Sequence, residues 1–213
     1  MTSGKFITFE GGEGAGKSTQ SRLLAERLRS AGHTVVETRE PGGTERGENI
    51  REFLLSGRAK DYGPIGEAVL FSTARDDHVK EVILPALERG DWVLCDRFSD
   101  STAAYQGAAG GVKPSIIRGL ERVAVGNTMP VLTIFLDIPV DAGLKRASDR
   151  NGGSDEESDR FEGMERRFHE ALRECFLTIA AQTPERSVVI DAQQAESAVA
   201  EAVWEAVVER LNP

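Results

Sequence analysis

The chain has 213 residues, a formal net charge of −9 and a pI near 5.0, which is length for one well-cored domain with room for a small mobile insert. That acidic balance argues against a surface that tracks a nucleic-acid polymer or an anionic membrane, so an anionic ligand must be met by local basic groups. The two cysteines, Cys95 and Cys175, each lie in an apolar run, which suits reduced buried thiols and a cytoplasmic setting; no apolar leader precedes the first strand, and no run approaches the roughly 20 residues of a membrane span.

Lys5 to Glu10 reads as the first strand. It runs directly into Gly11-Gly12-Glu13-Gly14-Ala15-Gly16-Lys17-Ser18-Thr19, and the helical run Leu23-Leu24-Ala25 follows. A strand, this glycine-rich string and a helix in that order make a phosphate-binding P-loop. The glycines allow tight backbone approach to an anion, and the loop amides and helix N-terminus aim partial positive charge at phosphates. Lys17 reaches the β and γ groups, and the Ser18 hydroxyl is a ligand for Mg²⁺.

Thr34 to Thr38 reads as the second strand and ends in Thr38-Arg39-Glu40-Pro41-Gly42-Gly43-Thr44. A helix spans Ile65 to Leu87, with Pro85 limiting its regularity. Trp92 to Asp96 is the third strand and ends in Asp96-Arg97-Phe98. Val131 to Asp137, a nearly continuous apolar run, is a strand buried on both faces of a parallel sheet. Asp149 to Asp159 breaks the pattern and reads as an exposed, mobile loop, either a plain connection or a lid flanked by Arg150 and Arg160. Phe161, Met164, Phe168, Leu172, Cys175 and Ile179 recur at helical spacing, so a long amphipathic helix begins at Phe161. Ser187 to Asp191 is the fifth strand, and Val199, Ala202, Val203, Ala206 and Val207 stripe the last helix. The expectation is an α/β fold of the P-loop NTPase type, three-layered α/β/α with a five-stranded parallel sheet.

Open parallel sheets bind ligands at the carboxyl ends of their strands, where Arg39 and Arg97 fall. Two arginines converging on a phosphate cradle suggest a second anionic substrate. Asp96 sits where P-loop proteins place a carboxylate that acts on Mg²⁺, its alternative role being to hold Arg97. An Asn-Lys-x-Asp base-reading string and the protein-kinase catalytic-loop string are both absent. Small-molecule kinases, other ATPases and nucleotide-binding switches remain.

The P-loop, Arg39-Glu40-Pro41-Gly42-Gly43-Thr44, Leu70-Phe71-Ser72-Thr73-Ala74-Arg75, and Asp96-Arg97-Phe98-Ser99-Asp100-Ser101-Thr102-Ala103-Ala104-Tyr105-Gln106-Gly107 occur in this order. In that, the chain resembles bacterial thymidylate kinases over nearly its whole length. The resemblance implies one kinase domain over 1–213 that moves the γ-phosphoryl group of ATP to the 5′-phosphate of dTMP, with Mg²⁺, in a cytoplasmic homodimer. Lys17 would neutralise the donor; Arg39 and Arg97, with Arg51 nearby, would hold the acceptor phosphate. Phe71 would stack on thymine, Arg75 and Gln106 would bond its edge beside Ser101 and Thr102, Tyr105 would sit by the sugar's 2′ carbon, and Glu13 by its 3′-hydroxyl. Without the family match Phe71 and Tyr105 read as packed aromatics and Glu13 as a loop carboxylate.

Eukaryotic-type members carry an arginine where this chain has Gly14. The missing charge is then expected from lid arginines, Arg150 and Arg160, in a lid at about 147–161. Arg146 and the turn Asp191-Ala192-Gln193 would border the adenine. Two other readings stand beside this one: a kinase for another (deoxy)nucleoside monophosphate such as deoxyuridylate, or a switch that binds nucleotide without turnover. Phe71, Arg75 and Gln106 weigh against the first, and the presence of Lys17, Asp96 and the strand-end arginines weighs against the second.

Overall fold

The computed structural model describes residues 4–150, 161 and 164–213. Five parallel strands, β1 (Lys5–Glu10), β2 (Val35–Arg39), β3 (Trp92–Asp96), β4 (Leu132–Asp137) and β5 (Ser187–Asp191), line up in the order β2-β3-β1-β4-β5. The expected strands are all present, within a residue of their expected starts and ends. β1 and β4 are apolar because helices cover both sheet faces.

Helix α1 (Lys17–Ser30) and α9 (Glu196–Leu211) cover one face. Leu24 and Leu28 from α1 and Val199, Val203 and Val207 from α9 close over Ile7, Phe9, Leu94, Ile134 and Leu136 of the strands. On the other face Phe6, Val93 and Cys95 meet Val79 and Ile83, while Phe135 meets Leu172 and Phe176 of α8 (Arg166–Gln182). The result is the three-layer arrangement expected.

Two helices depart from expectation. The Ile65 to Leu87 segment is α3 (Gly63–His78), a π-helical stretch Val79–Ile83, and α4 (Leu84–Glu88). Pro85 lacks an amide proton and would crowd the carbonyl one turn back, and the wider π turn just before it relieves that conflict. The helix expected from Phe161 begins instead at Arg166. Met164 is exposed, and Phe161 packs on the ring of Tyr105 with centroids 5.2 Å apart. Periodicity could not separate an aromatic anchor ahead of the helix from the helix's own stripe.

The remaining elements are α2 (Glu45–Leu55), α5 (Ser99–Thr102) continuing into a π-helical stretch Ala103–Ala109, α6 (Pro114–Val125) and α7 (Val140–Arg150). Thr44 caps α2, accepting from the Gly47 amide at 2.9 Å. Most of the expected lid at 147–161, Arg160 included, lies outside the described residues. No helix among the described residues is long and apolar enough to cross a membrane.

Ile134 is fully buried at the centre of the sheet. Replacing it with alanine is expected to lower the unfolding free energy by about 2–5 kcal/mol, through lost apolar burial plus the cavity left behind. Urea denaturation monitored by circular dichroism measures this, and a loss under about 1 kcal/mol would contradict the core placement.

Candidate active site

β1 pairs with β3 and β4, so the P-loop leaves the middle of the sheet while Asp96-Arg97 leaves the adjacent strand. Between them opens a cleft with about 560 Å³ of space. Glu13, Gly14, Gly16, Lys17, Ser18 and Thr19 form one wall. Arg51, Phe71 and Arg75 form another, and Asp96, Arg97, Ser101, Thr102, Tyr105 and Gln106 a third, with Arg150 and Phe161 at the side.

Lys17 is buried and its Nζ donates to the carbonyls of Gly11 at 3.1 Å and Gly12 at 2.7 Å. Burial, and then the charge of Arg97, lower its pKa to about 8 against the opposing pull of Glu13, Asp96 and Glu10. The Ser18 hydroxyl donates to Asp96 Oδ2. This is a pair of hard oxygen donors beside the phosphate cradle. Mg²⁺ is held in just this manner by few protein oxygens, completed with phosphate oxygens and water, so the donor set fits it.

Glu13 is the electrostatic partner of the opposite wall. Its Oε1 accepts from Arg97 Nη2 at 2.8 Å and from the Tyr105 hydroxyl at 2.5 Å. Burial pushes this carboxyl up, but Arg97, Lys17 and the Tyr105 hydrogen bond outweigh it and bring the pKa to about 2. Arg97 also donates from Nη1 to Gly11 O at 3.1 Å and to Ser101 Oγ at 3.3 Å, and its guanidinium lies 4.9 Å from the Tyr105 ring centre. Burial works against its charge, yet Tyr105, Glu13, Asp96 and Glu10 raise its pKa above the ordinary arginine value. The Arg97 backbone is left-handed, φ 68°, which costs a side-chain-bearing residue of order 1 kcal/mol or more. Its amide bond to Phe9 O at 2.9 Å, with Phe98 N bonded to Glu10 Oε1 at 2.7 Å, holds that conformation.

At the end of the cleft beside Phe71 three polar groups lack full protein partnership. Thr102 Oγ1 and Gln106 Nε2 are buried without a hydrogen bond, and Arg75 donates from Nε and Nη2 while its Nη1 donates to no described residue. Phe71 stands beside them, partly buried. Buried polar atoms of this kind are uncommon in native proteins, and a water or a ligand completes their bonding.

Not every expected residue joins the cleft. Arg39 is more than half exposed and is held by Glu48 of α2 at 3.0 Å, a carboxylate that also accepts the Gly43 amide at 3.0 Å. Strand alternation gives Arg39 the exposed face of Glu37, whereas Arg51, tied to Pro41 O at 2.9 Å, lines the cleft. Gly11 and Gly12 serve through their carbonyls and Ala15 is buried in the core. Arg146 donates to Ala192 O at 2.8 Å, bringing together the two segments expected to flank the adenine. Gly14, φ +66°, has the Gly143 carbonyl where a Cβ would stand, so the P-loop tip touches α7 backbone to backbone. A side chain at 14 has no room without moving α7.

Three acidic residues without an expected role are central. Glu10 accepts from Phe98 N and from Ser101 N and Oγ, at 2.7, 3.3 and 2.6 Å. Asp100 takes both Arg186 terminal nitrogens at 2.8 and 3.0 Å, and Arg186 reaches on to Thr133. Glu40 holds Arg75. The signal available for Glu10 was a carboxylate at the carboxyl end of an apolar strand, whereas Glu40 follows a strand that is more than half polar.

Residues 9–203 match the family model described as Thymidylate kinase. Among relatives, a thymidylate kinase from Bradyrhizobium sp. (strain ORS 278) is 54% identical over 98% of this chain and 91% of its own. One from Caulobacter vibrioides is 53% identical over the full length of both. A crystal structure of thymidylate kinase from Ehrlichia chaffeensis superposes with a TM-score of 0.76 at 33% identity, covering 96% of this chain and 98% of that one.

Burial, then the charge of Asp100, raise the Glu10 pKa from 4.5 to about 7 against the bonds from Ser101 and Phe98 and the charge of Arg97. The folded protein therefore holds this proton more tightly than the unfolded chain. The resulting stability is complete below about pH 4.5 and is lost as pH rises through about 7. Chemical denaturation should show stability from this group declining between pH 5 and pH 8, and Glu10→Gln should flatten that decline. Identical pH slopes in the two proteins would contradict the assignment.

Proposed function

This chain belongs to the thymidylate kinase family, and on that premise we propose that residues 1–213 form one kinase domain whose cleft phosphorylates thymidylate with Mg·ATP. The observation that carries the reading is the meeting, in one cleft, of a P-loop with a base-sized end where Thr102, Gln106 and Arg75 offer unfilled hydrogen-bonding positions beside Phe71. Thymine presents O4 as an acceptor and N3–H as a donor, which Arg75 Nη1 with Gln106, and Thr102, respectively complete. Tyr105, hydrogen-bonded to Glu13, stands as bulk beside the sugar, and Ser101 closes the same wall.

The acceptor is an anionic phosphate oxygen at neutral pH and needs no strong base. The difficulty is bringing two polyanions together, so catalysis is positive charge and positioning. Lys17 exchanges its bonds to Gly11 O and Gly12 O for the β and γ oxygens of ATP, with the amides of Gly14, Ala15 and Gly16 around the phosphates and Thr19 behind them. Ser18 and Asp96 would hold Mg²⁺, which would supply charge neutralisation at the donor phosphates. Arg97 and Arg51 hold the acceptor phosphate, and Arg39 joins them only by exchanging Glu48 for it. Arg150, which lines the cleft at the end of α7, supplies charge from the lid side, and Arg146, bonded to Ala192 O, covers the adenine.

The cytoplasm suits two cysteines that are both free. The assembly is a homodimer through the start of α3, where Ile65 and Val69 share a helix face and are 52 and 43% exposed, with Tyr62 just ahead of the helix 66% exposed. Sedimentation velocity should show a dimer that Val69→Asp converts to monomer; a monomer in the unaltered protein would refute this interface.

ADP release from Mg·ATP with dTMP, dUMP, UMP, CMP, AMP and GMP should show a strong preference for dTMP. Broad turnover would sink the roles given to Arg75 and Gln106, and binding without turnover would point to a switch. Arg97→Ala should cost about 2–4 kcal/mol in the barrier, a fall in kcat of roughly 30- to 10³-fold, as for other electrostatic catalytic groups.

A further inference from the structure

Glu40 is a carboxylate for which phosphoryl transfer has no use, yet it is 5% exposed just beyond β2 and borders the cleft. Its Oε2 accepts from Arg75 Nε at 2.6 Å, and its Oε1 lies 3.0 Å from His78 Nδ1. His78 is fully buried. Its Nε2 is 2.7 Å from Thr38 Oγ1, and its ring presses so closely on Gly43 that a Cβ there would fall 2.6 Å away. The tautomer with its proton on Nδ1 serves both contacts, donating to Glu40 and accepting the Thr38 hydroxyl. A ring wedged in this way holds the carboxylate that it donates to.

Arg75 is fixed from two further sides. Its Nη2 donates to Phe98 O at 3.0 Å and its guanidinium lies 5.3 Å from the centre of the Phe98 ring. A planar guanidinium held at Nε and Nη2 has no freedom left about its last torsions, so the position of Nη1 is determined.

We propose that Glu40, backed by His78, is a positioning residue for base selectivity: it holds Arg75 so that Nη1 meets an acceptor on the base and cannot turn away from a donor. The proposal rests on the assignment of Arg75 to the base edge. Thymine offers a carbonyl at C4, and cytosine offers an amino group there. Against a fixed donor the amino group leaves two buried donors facing each other, and such unpaired polar groups discriminate far more strongly than a lost apolar contact. A guanidinium free to swing would relieve that conflict. Glu40 therefore acts on which base is accepted, through Arg75, and only weakly on the transfer step. The same loop carries Pro41, whose carbonyl anchors Arg51, so base site and acceptor-phosphate site share one support.

Glu40→Gln keeps the shape but removes the charge that pairs with Arg75, and its amide NH₂ either opposes Arg75 Nε–H or makes His78 move its proton from Nδ1 to Nε2. With dTMP the KM should rise about tenfold while kcat at saturation changes less than about threefold. The ratio of kcat/KM for dTMP over dCMP should fall by about tenfold or more. A ratio unchanged within about twofold, or an equal loss of kcat with both substrates, would overturn the proposal. Thermal unfolding of each variant accompanies the kinetics. If Glu40→Gln does not fold, His78→Gln decides the matter, since removing the wedge should lower the same ratio and an unchanged ratio would overturn the positioning role. Arg75→Gln separates the two layers of the argument. Discrimination lost in Arg75→Gln but kept in Glu40→Gln refutes the role of Glu40 alone, whereas discrimination kept in Arg75→Gln refutes the base-edge assignment beneath it.

Discussion

With the carboxyl of Glu10 accepting from Phe98 N and from Ser101 twice, the segment leaving β3 cannot part from the loop leaving β1. β1 and β3 are neighbours in the sheet, so their pairing aligns the two exits, and Glu10 carries that alignment past the last ladder bond. The phosphate cradle and the Asp96-Arg97 turn are thereby set against each other. Arg97 stays in a conformation that a side-chain-bearing residue seldom adopts, and α5 begins where Ser101 and Thr102 face the cleft. The buried pair Asp100 and Arg186, with Thr133 and Thr8 behind it, ties the same helix to the centre of the sheet.

The charges of the cleft are arranged in pairs before any substrate enters. Lys17 and Arg75 are buried cations and Arg97 a partly buried one, and Glu13, Glu10 and Glu40 are carboxyl groups within their reach. Burying an unpaired charge is expensive, so each cation has a protein partner that a substrate phosphate or base must displace or share. This reconciles an acidic protein with a substrate pair of polyanions: the overall charge of −9 sits elsewhere, and the positive groups are held locally with short reorganisation distances.

Strand positions and the P-loop were legible because a strand buried on both faces and a phosphate cradle each leave a dense local signal. The family was legible in the Arg39-to-Thr44 and Asp96-to-Gly107 strings. What the sequence hid were directions and partners. Arg39 and Arg51 are equally basic on paper, but strand alternation and Glu48 turn the first outward, while a carbonyl of Pro41 holds the second in the cleft wall. Phe161 had the right spacing for the helix and the wrong backbone, since its ring is anchored by Tyr105 rather than by its own helix. Glu10, Asp100 and Glu40 act through residues 88, 86 and 35 positions away, separations at which no local pattern speaks.

The contact between Gly14 and Gly143 bears on how such a protein changes over generations. An arginine in the P-loop and a charge delivered from the lid are alternative solutions to one electrostatic need, and a lineage passing from one to the other must place a side chain at position 14. Here that side chain would strike the Gly143 carbonyl, and a Cβ on Gly143 would in turn strike the carbonyl of Glu13. Neither single substitution is open while α7 lies against the loop, so the passage requires the helix to shift first. On the proposal that the lid side supplies this charge, the packing of two glycines sets the two solutions more than one substitution apart.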